Sequence, residues 1–221
     1  MQSYKKYVFL QNKTHNIIML LRLYEDNIAP KQVNTIVSIL ENDGIILVPT
    51  NTLYAFVCDI HSKKASNKLA ELKGKKLEKS NFSILCSSLS MASSYIKPIS
   101  NNQFAFIKSL STGLFTLVLQ ASNLTPKIFQ NKKRTIGIRI LQSNIVNAII
   151  DQLGHPLLVT SVPRENDEGE IYKNAELIYE TYSSLIDFGI DIGDIASVPS
   201  TVLDLTLGDS YEIIRQGLGE I

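Results

Sequence analysis

The sequence lacks the features of membrane-spanning and secreted proteins. No apolar stretch approaches the ~20 residues that a membrane helix needs, and the run at 16–21 is short and is followed by Arg22. Lys5 and Lys6 are not followed by the apolar core and small-residue cleavage site of a secretory signal. We therefore expect a protein that has no membrane partner.

Cysteine and histidine are scarce as well. Cys58 and Cys86 are too few for a disulfide framework or a cysteine-rich metal site, and both lie in apolar runs, as small buried side chains do. His15, His61 and His155 show neither the spacing of metal ligands nor a neighbouring nucleophile. These counts predict a reducing cytoplasm as the location and no metal held by the protein itself.

Charge is distributed unevenly, although the net charge is only +1. Residues 165–221 hold 13 acidic and 2 basic side chains, whereas residues 1–164 hold 20 basic and 8 acidic ones. The densest basic stretch, residues 63–79, contains 7 lysines and no interleaved aromatic residue, so base stacking is not indicated. The stretch is typical of a solvated helix face or of a surface that binds anions or nucleic acid, and both interpretations stay open.

Alternating helix and strand patterns predict an α/β (α+β) fold in one domain. Apolar residues at 33, 36, 37 and 40 have the spacing of a helix that begins after Pro30 and ends near Gly44. Arg134–Ile140 alternates strictly, so its isoleucines face a core and Arg139 points the other way. Further helices are expected before Gly74, between Ser143 and Gly154 and near 175–186, and strands at 45–48, 81–86, 115–120, 156–160, 201–207 and 211–215. Together these elements predict a three-layer sandwich with a mixed, twisted sheet.

The segment Gly44–Ile60 has a pattern that suits a ligand site. Its apolar run stops at Pro49, and hydroxyls follow at Thr50, Thr52 and Tyr54. A buried strand that ends in proline and then presents hydroxyls and backbone N–H groups commonly begins such a site, although an ordinary strand and turn explain these residues equally well. Other polar residues also fall at strand ends or on strand faces: Arg139, Thr160, Ser161, Ser200, Thr201 and Arg215.

Seven short motifs occur in order: PTNTLYA (49–55), LKGKK (72–76), TGLFTLVL (112–119), GIRI (137–140), LLVTS (157–161), PSTVLDL (199–205) and IIRQG (213–217). With this combination the chain resembles the YrdC-like domain family, and residues 76–86 and 133–139 are most similar to its YciO branch. The resemblance implies a twisted sheet with a concave basic cavity. It covers roughly residues 20–221, so we divide the chain into an N-terminal extension, 1–18, and a YrdC-like domain, 19–221.

The family's best-characterised members make threonylcarbamoyl-adenylate from threonine, bicarbonate and ATP, with Mg²⁺ carried by the nucleotide, for the modification of tRNA. The resemblance implies that Lys73 and Lys75, on the family's Lys-x-Arg pair, and Arg139 act in catalysis at the phosphates and the carbamate. It further implies that hydroxyl residues and a late arginine bind the substrates: Thr50, Thr52, Tyr54, Thr160, Ser161, Ser200, Thr201 and Arg215.

The chain departs from the family pattern at two of these elements. Lys75 stands where the family has arginine, and Pro163 stands where the family's Ser-x-Asn element has asparagine. Lysine keeps the charge but loses the planar fork that binds phosphate in a bidentate manner, and proline has no donor. A second hypothesis is therefore a YciO-type protein that binds a nucleotide, tRNA or double-stranded RNA with weak or no synthase activity.

Each assignment also has an ordinary structural interpretation. Arg139 is equally suited to a structural ion pair, Lys73 and Lys75 to solvent exposure, and Ser200 and Thr201 to the start of a strand.

Overall fold

The computed structural model describes residues 7–11, 17–25, 28–77, 80, 82–126, 133–163 and 172–221. Within these residues one twisted sheet of 11 strands carries helices on both faces. The predicted α/β class and the mixed sheet are confirmed. None of the helices in this part of the chain is long and apolar enough to cross a membrane.

The strands are β1 (Tyr7–Gln11), β2 (Ile17–Arg22), β3 (Ile46–Val48), β4 (Ala55–Asp59), β5 (Ser83–Cys86), β6 (Phe115–Gln120), β7 (Thr135–Ile140), β8 (Leu157–Ser161), β9 (Phe188–Asp191), β10 (Thr201–Asp204) and β11 (Glu212–Arg215). The helices are α1 (Pro30–Glu41), α2 (Lys63–Leu72), α3 (Leu89–Ser93), α4 (Asn101–Ser109), α5 (Asn144–Leu153) and α6 (Ala175–Tyr182). In the sheet the strand order is β1-β2-β9-β3-β4-β8-β5-β7-β6-β10-β11.

Parallel and antiparallel pairs are mixed along this sheet. Strands β2 and β3 run parallel to β9, β5 to β7, and β6 to β10, and the remaining neighbours are antiparallel. The two strands expected at 201–207 and 211–215 form a hairpin, β10 and β11, around Gly208, which has a positive φ of 82°. The connection, 205–211, is longer than the expected 208–210 because both strands are shorter than their sequence patterns.

The two faces of the sheet have separate hydrophobic cores. Helices α1 and α5 pack on one face through residues such as Ile36 and Ile149, against Val57, Leu85 and Leu157. Helices α2, α4 and α6 contribute to the core on the other face, together with Phe56, Ile138 and Leu158. The alternation of these residues along β4 and β8 produces the predicted three layers.

Helix ends follow the capping residues of the sequence. Ser143 was predicted as the N-cap of α5, and its side chain accepts the N–H of Val146; Ser62 caps α2 by accepting the N–H of Ala65. Gly154 closes α5 with a φ of 76°, a conformation that favours glycine. On the buried side of α5, Ile145 is fully buried, whereas Leu153 is only partly buried.

Sequence patterns overestimated several other elements. The strand expected at 81–86 spans Ser83–Cys86, and Asn81 lies outside the described residues. The helix expected near 175–186 ends at Tyr182. Strand β2 crosses the proposed boundary at residue 18 and pairs with β1 and β9. Cys58 and Cys86 are free and fully buried, as expected.

Gly189 allows β9 and its neighbours to approach closely, and this contact can be tested. A Cβ atom at this position would lie 2.6 Å from Leu20 Cδ1 and 3.0 Å from Tyr179 Cδ2. We expect Gly189→Ala to reduce the free energy of unfolding by about 1–3 kcal/mol, the usual effect of overpacking. Urea denaturation measures this loss.

The control is the same substitution in a Leu20→Ala background. Because the obstructing methyl group is then absent, the additional loss from Gly189→Ala should be smaller than in the parent chain. Equal losses in the two backgrounds would contradict the described packing of β2 on β9.

Candidate functional site

A large cavity lies on the sheet face that α1 and α5 cover elsewhere. Leu85, which packs under these helices, pairs with Arg139, so both side chains share one face of the sheet. Arg139 and its neighbours on β6, β7 and β10 line a cavity of about 1140 Å³ instead of a hydrophobic core. Strand positions that alternate with core residues therefore supply polar groups to the cavity: Thr116, Gln120, Thr135, Arg139 and Asp204.

Positive charge dominates the cavity. Among the described residues its lining contains Asp204 and these five basic side chains: Lys73, Lys75, Lys133, Arg139 and Arg215. Asp204 already accepts a hydrogen bond from the backbone N–H of Thr206, at 2.8 Å. Cations in a concave site reinforce one another's potential, so the cavity attracts anions. The concave basic cavity expected from the family resemblance is thus present.

Arg139 is the most deeply buried of these cations. It is 5% exposed, and its Nε and Nη2 groups donate to the carbonyl oxygen of Gly113 at 2.9 and 2.7 Å. The Nη2 group also donates to Thr52 Oγ1 at 2.7 Å. These neutral acceptors hold the guanidinium plane in position without neutralising its charge.

Arg139 and Arg215 form no ion pair with any described carboxylate, so the structural ion pair considered for Arg139 is absent from this part of the chain. Burial, and then the charge of Arg215, lowers the pKa of Arg139 to about 10. Burial also lowers the pKa of Arg215. A buried charge without a counter-ion is unfavourable. An anion bound beside the two arginines would therefore stabilise their charged forms and offset the cost of their burial.

The acceptor for Arg139 is itself held by the turn after β3. Asn51 in this turn donates to the carbonyl of Gln142 and accepts the N–H of Gln142, at 3.1 and 3.2 Å. Its side chain lies so close to Gly113 that a Cβ atom at position 113 would collide with it, and Gly113 has a φ of 79°. Glycine is therefore needed where the backbone carbonyl meets Arg139.

Arg215 and Ser200 occupy another part of the cavity lining. The Nη2 group of Arg215 donates to the carbonyl of Ser200 at 2.8 Å, and Nε donates to the same oxygen at 3.3 Å. The Ser200 hydroxyl is 2.9 Å from Thr116 Oγ1. Backbone and hydroxyl contacts thus orient Arg215, as they orient Arg139.

Lys73 and Lys75 follow the end of α2. The Lys73 ammonium donates to the carbonyl of Ser80 at 3.0 Å and lies 5.3 Å from the centre of the Phe82 ring. Burial, and then the charge of Lys75, lowers the pKa of Lys73. The protein thus positions the ammonium group of Lys73, although Lys73 and Lys75 are both exposed residues of the lining, as their ordinary structural interpretation also predicted.

The structure brings together seven of the predicted site residues: Lys73, Lys75, Arg139, Thr160, Ser161, Ser200 and Arg215. Pro163, which stands where the resemblance places an asparagine, lines the same cavity. Sequence reasoning missed Lys133, Thr116 and Asp204. Strand alternation offered a signal for the latter two, because Thr116 and Asp204 lie out of phase with the buried residues of β6 and β10.

Four predicted residues lie outside this lining. Thr52 lies behind the lining and accepts a hydrogen bond from Arg139, which it helps to orient. Thr50 donates to the carbonyl of Leu53 and lines another, smaller cavity. Tyr54 is 1% exposed; its hydroxyl donates to the carbonyl of Gly193 at 2.8 Å and accepts the N–H of Ile192. Thr201 begins β10 and fastens the C-terminal segment through the carbonyl of Gly219, at 2.6 Å.

A first test of the cavity uses inorganic pyrophosphate as the anion. At 100 times its Kd, a ligand stabilises the native state by about 2.7 kcal/mol, which corresponds to roughly 5–10 °C in Tm for a chain of this size. We expect Arg139→Ala to lose most of this increase because its uncompensated charge is gone. The ligand-free variant should stay folded, since water from the cavity can reach the carbonyl of Gly113.

Lys68→Ala provides the matched control. Lys68 is exposed on α2 and is not in the cavity lining, so this variant should keep the full pyrophosphate effect. An equal increase in Tm for wild type and Arg139→Ala would show that the anion binds elsewhere.

Known proteins resemble the chain over most of its length. The Sua5_yciO_yrdC family model, described as "Telomere recombination", matches residues 38–217. The uncharacterized protein YciO of Escherichia coli strain K12 is 30% identical over 200 residues, which are 90% of this chain and 95% of YciO. A threonylcarbamoyl-AMP synthase of Buchnera aphidicola is 30% identical over 129 residues, 58% of this chain and 73% of that enzyme.

Solved structures share the fold. The crystal structure of E. coli YciO superposes with a TM-score of 0.81 and 28% identity, over 92% of this chain and 97% of that one. P. abyssi Sua5 complexed with L-threonine superposes with a TM-score of 0.77 and 21% identity, over 91% of this chain and 58% of Sua5, and this likeness concerns the fold alone. With the family model matching residues 38–217, the chain belongs to the Sua5/YciO/YrdC family.

Proposed function

We propose that the protein forms L-threonylcarbamoyl-adenylate from threonine, bicarbonate and ATP in the basic cavity, as a step in the modification of tRNA in the cytoplasm. The observation that carries the proposal is the buried guanidinium of Arg139, which has no described carboxylate partner and shares the cavity with four further cations. Such a site suits a polyanionic substrate such as ATP.

The relatives support this choice of reaction. Threonylcarbamoyl-AMP synthases of Buchnera aphidicola and Wigglesworthia glossinidia brevipalpis are similar in sequence to this chain, and the Sua5 fold has been solved with L-threonine. The cavity volume of about 1140 Å³ exceeds the ~300–1,000 Å³ of usual small-molecule sites, which leaves room for an amino acid beside a nucleotide.

The chemistry needs charge and positioning more than a protein nucleophile. Threonine and bicarbonate give a carbamate with loss of water, and a carbamate oxygen attacks the α-phosphorus of ATP. A P–O bond forms to the carbamate, and the P–O bond to the β-phosphate breaks, so that pyrophosphate leaves with the electron pair. Preorganised cations stabilise the charge that spreads over the phosphate oxygens.

We assign the cations by their placement. Arg139 and Arg215, whose planes are held by backbone carbonyls, present guanidinium groups to a phosphate or to the threonine carboxylate. Lys73 and Lys75 approach from the end of α2 and would bind the leaving pyrophosphate. The hydroxyl groups of Ser161 and Ser200, at the same cavity, would orient threonine and nucleotide.

Magnesium fits this site as a companion of ATP. Asp204 is the single carboxylate among the described lining residues, and its side chain already accepts a backbone N–H. Mg²⁺ usually binds through one or two carboxylates together with substrate phosphates, and it supplies neutralisation of phosphate charge. The lining therefore suits a nucleotide-borne ion better than a cage of protein ligands.

A second candidate is a nucleotide- or RNA-binding protein with little turnover. Two observations favour it: Lys75 and Pro163 line the cavity at the positions where the family has arginine and asparagine. Both changes remove directed hydrogen bonds but leave the charge in place. Binding to tRNA or double-stranded RNA would then depend on phosphate contacts and weaken steeply with salt.

Pyrophosphate release from ATP separates the two candidates. We expect wild-type protein to release pyrophosphate only when both threonine and bicarbonate are present. Arg139→Ala should reduce the rate by about 10²–10³-fold, the usual loss when a group that stabilises the transition state is removed. Lys68→Ala should retain the rate.

Omission of threonine, omission of bicarbonate, and replacement of threonine by serine or valine complete the test. If ATP binds but no amino acid supports pyrophosphate release, the synthase proposal is wrong and the binding protein is favoured.

Restoring the family's residues gives an independent prediction. If the lost hydrogen bonds limit the reaction, Lys75→Arg combined with Pro163→Asn should increase the rate at least about tenfold, equivalent to about 1.4 kcal/mol in the barrier. Single-turnover measurement of pyrophosphate release checks this. A double variant that binds ATP as tightly as wild type but reacts no faster would show that these positions do not limit the chemistry.

A further inference from the structure

A cluster of metal-ligand residues lies apart from the basic cavity. Asp59, at the end of β4, and His61 and His155 place one ligand atom each within 4.8 Å of one another. Asp59 pairs with Leu157, whereas Ala55 at the other end of β4 pairs with Ser161 of the cavity lining. Leu157 pairs in turn with Leu85, and Leu85 pairs with Arg139, so three strand spacings, about 14 Å, separate Asp59 from Arg139 across the sheet.

His155 is held in the orientation of a metal ligand. Its Nδ1 is 3.2 Å from the carbonyl oxygen of Pro156. A carbonyl oxygen only accepts, so this contact requires the ring proton on Nδ1 and directs Nε2 toward Asp59. Metal-binding histidines usually donate their second ring nitrogen to a carbonyl or carboxylate in this way, which fixes the tautomer and orients the ring.

The two carboxylate oxygens of Asp59 have different neighbours. Its Oδ1 accepts the backbone N–H of His61 at 2.7 Å, and its Oδ2 lies 3.7 Å from His155 Nε2. One oxygen thus fixes the side chain, while the other faces the histidine at a separation close to that of two ligands on one ion. Ligands at about 2.0–2.1 Å from a tetrahedral ion lie roughly 3.4 Å from each other.

His61 completes the cluster from the turn before α2. Its ring centre is 4.7 Å from that of His155, with the planes at 77°. His61 is exposed and belongs to a turn whose backbone is fixed by Asp59. Its ligand atom lies within 4.8 Å of those of Asp59 and His155, and as an exposed side chain it can turn toward an ion that these two residues hold.

We propose that Asp59, His61 and His155 bind a divalent late transition metal of the Zn²⁺ class at the surface. Two imidazoles and one carboxylate form a donor set that Zn²⁺ and Co²⁺ accept, with a water in the fourth position. Hard ions such as Mg²⁺ prefer oxygen donors and are disfavoured here. The ion joins the β4–α2 turn to the α5–β8 turn and so stabilises the ends of β4 and β8 that meet there.

Spacing in the sequence does not reveal this site, because 94 residues separate the two histidines. They meet because β4 and β8 are antiparallel neighbours, so the turn after β4 lies beside the turn before β8. The prediction that the protein itself holds no metal stays untested, and the proposal opposes it at His61 and His155. His15 lies outside the described residues.

Titration with Co²⁺ tests the proposal on full-length protein without a histidine tag. We expect visible d–d absorption bands of a tetrahedral or five-coordinate Co²⁺ ion, which Zn²⁺ abolishes by competition. His61→Ala and His155→Ala should each weaken Co²⁺ binding by more than about tenfold, since loss of even a supporting residue costs 10–100-fold. Because His61 is exposed, its variant should keep the Tm of the metal-free protein.

Asp43→Asn is the matched control. Asp43 is a neighbouring carboxylate that accepts the Ser62 hydroxyl at 2.6 Å and lies 3.9 Å from Lys64. Asparagine keeps this acceptor and tolerates its positive φ of 63°. The variant should therefore retain the Co²⁺ bands and affinity.

Histidine ¹⁵N NMR provides a readout that does not depend on variants. Addition of Zn²⁺ should shift Nε2 of His155 and leave the proton on Nδ1. Unchanged Co²⁺ affinity in His61→Ala, or a histidine spectrum that does not respond to Zn²⁺ at millimolar concentration, would overturn the proposal.

Discussion

The cavity depends on the placement of one buried guanidinium, that of Arg139. The carbonyl of Gly113 and the hydroxyl of Thr52 hold it at 2.7 Å each, yet no described carboxylate neutralises it. A structural role alone would favour a carboxylate partner beside Arg139 or an apolar side chain in its place, since an unpaired buried charge destabilises the free protein. The arrangement is understandable if an anion completes it, and the loop contacts of Asn51 then serve to keep the acceptor of Arg139 in place.

Helix coverage explains why the cavity lies where it does. Helices α1 and α5 cover the central strands on one face, and Leu85 and Leu157 are buried beneath them. On the neighbouring strands of the same face, the described residues form the cavity lining that contains Arg139. The opposite face keeps a continuous core that includes Ile138 and Leu203. The sheet thus has a hydrophobic core on each face and a charged cavity beside one of them, and the packed strands hold the cations of the cavity in place.

The sequence predicted the parts of this arrangement that depend on local pattern. Alternation along β7 separated Arg139 from its isoleucines, and Ser143 and Gly154 marked the ends of α5. It could not show that Thr52 binds Arg139 across 87 residues, or that Tyr54 supports the turn at Gly193, because both contacts arise from strand order. For the same reason the sequence could not show that the hydroxyl groups of Thr50, Thr52 and Tyr54, which belong to one motif, contact three different parts of the structure.

The retained and altered residues of the cavity suggest that binding and turnover are separable in this chain. Arg139, Arg215 and Lys73 keep the charge that attracts a polyanion, whereas Lys75 and Pro163 affect the directed hydrogen bonds that hold a transition state. Charge acts over several ångströms and tolerates imprecise placement, but a bidentate contact requires a planar donor at one position. Under the proposed function, a protein with this combination binds ATP with little loss of affinity and reacts slowly. Affinity for ATP and the rate of pyrophosphate release are therefore separate properties of the proposed site.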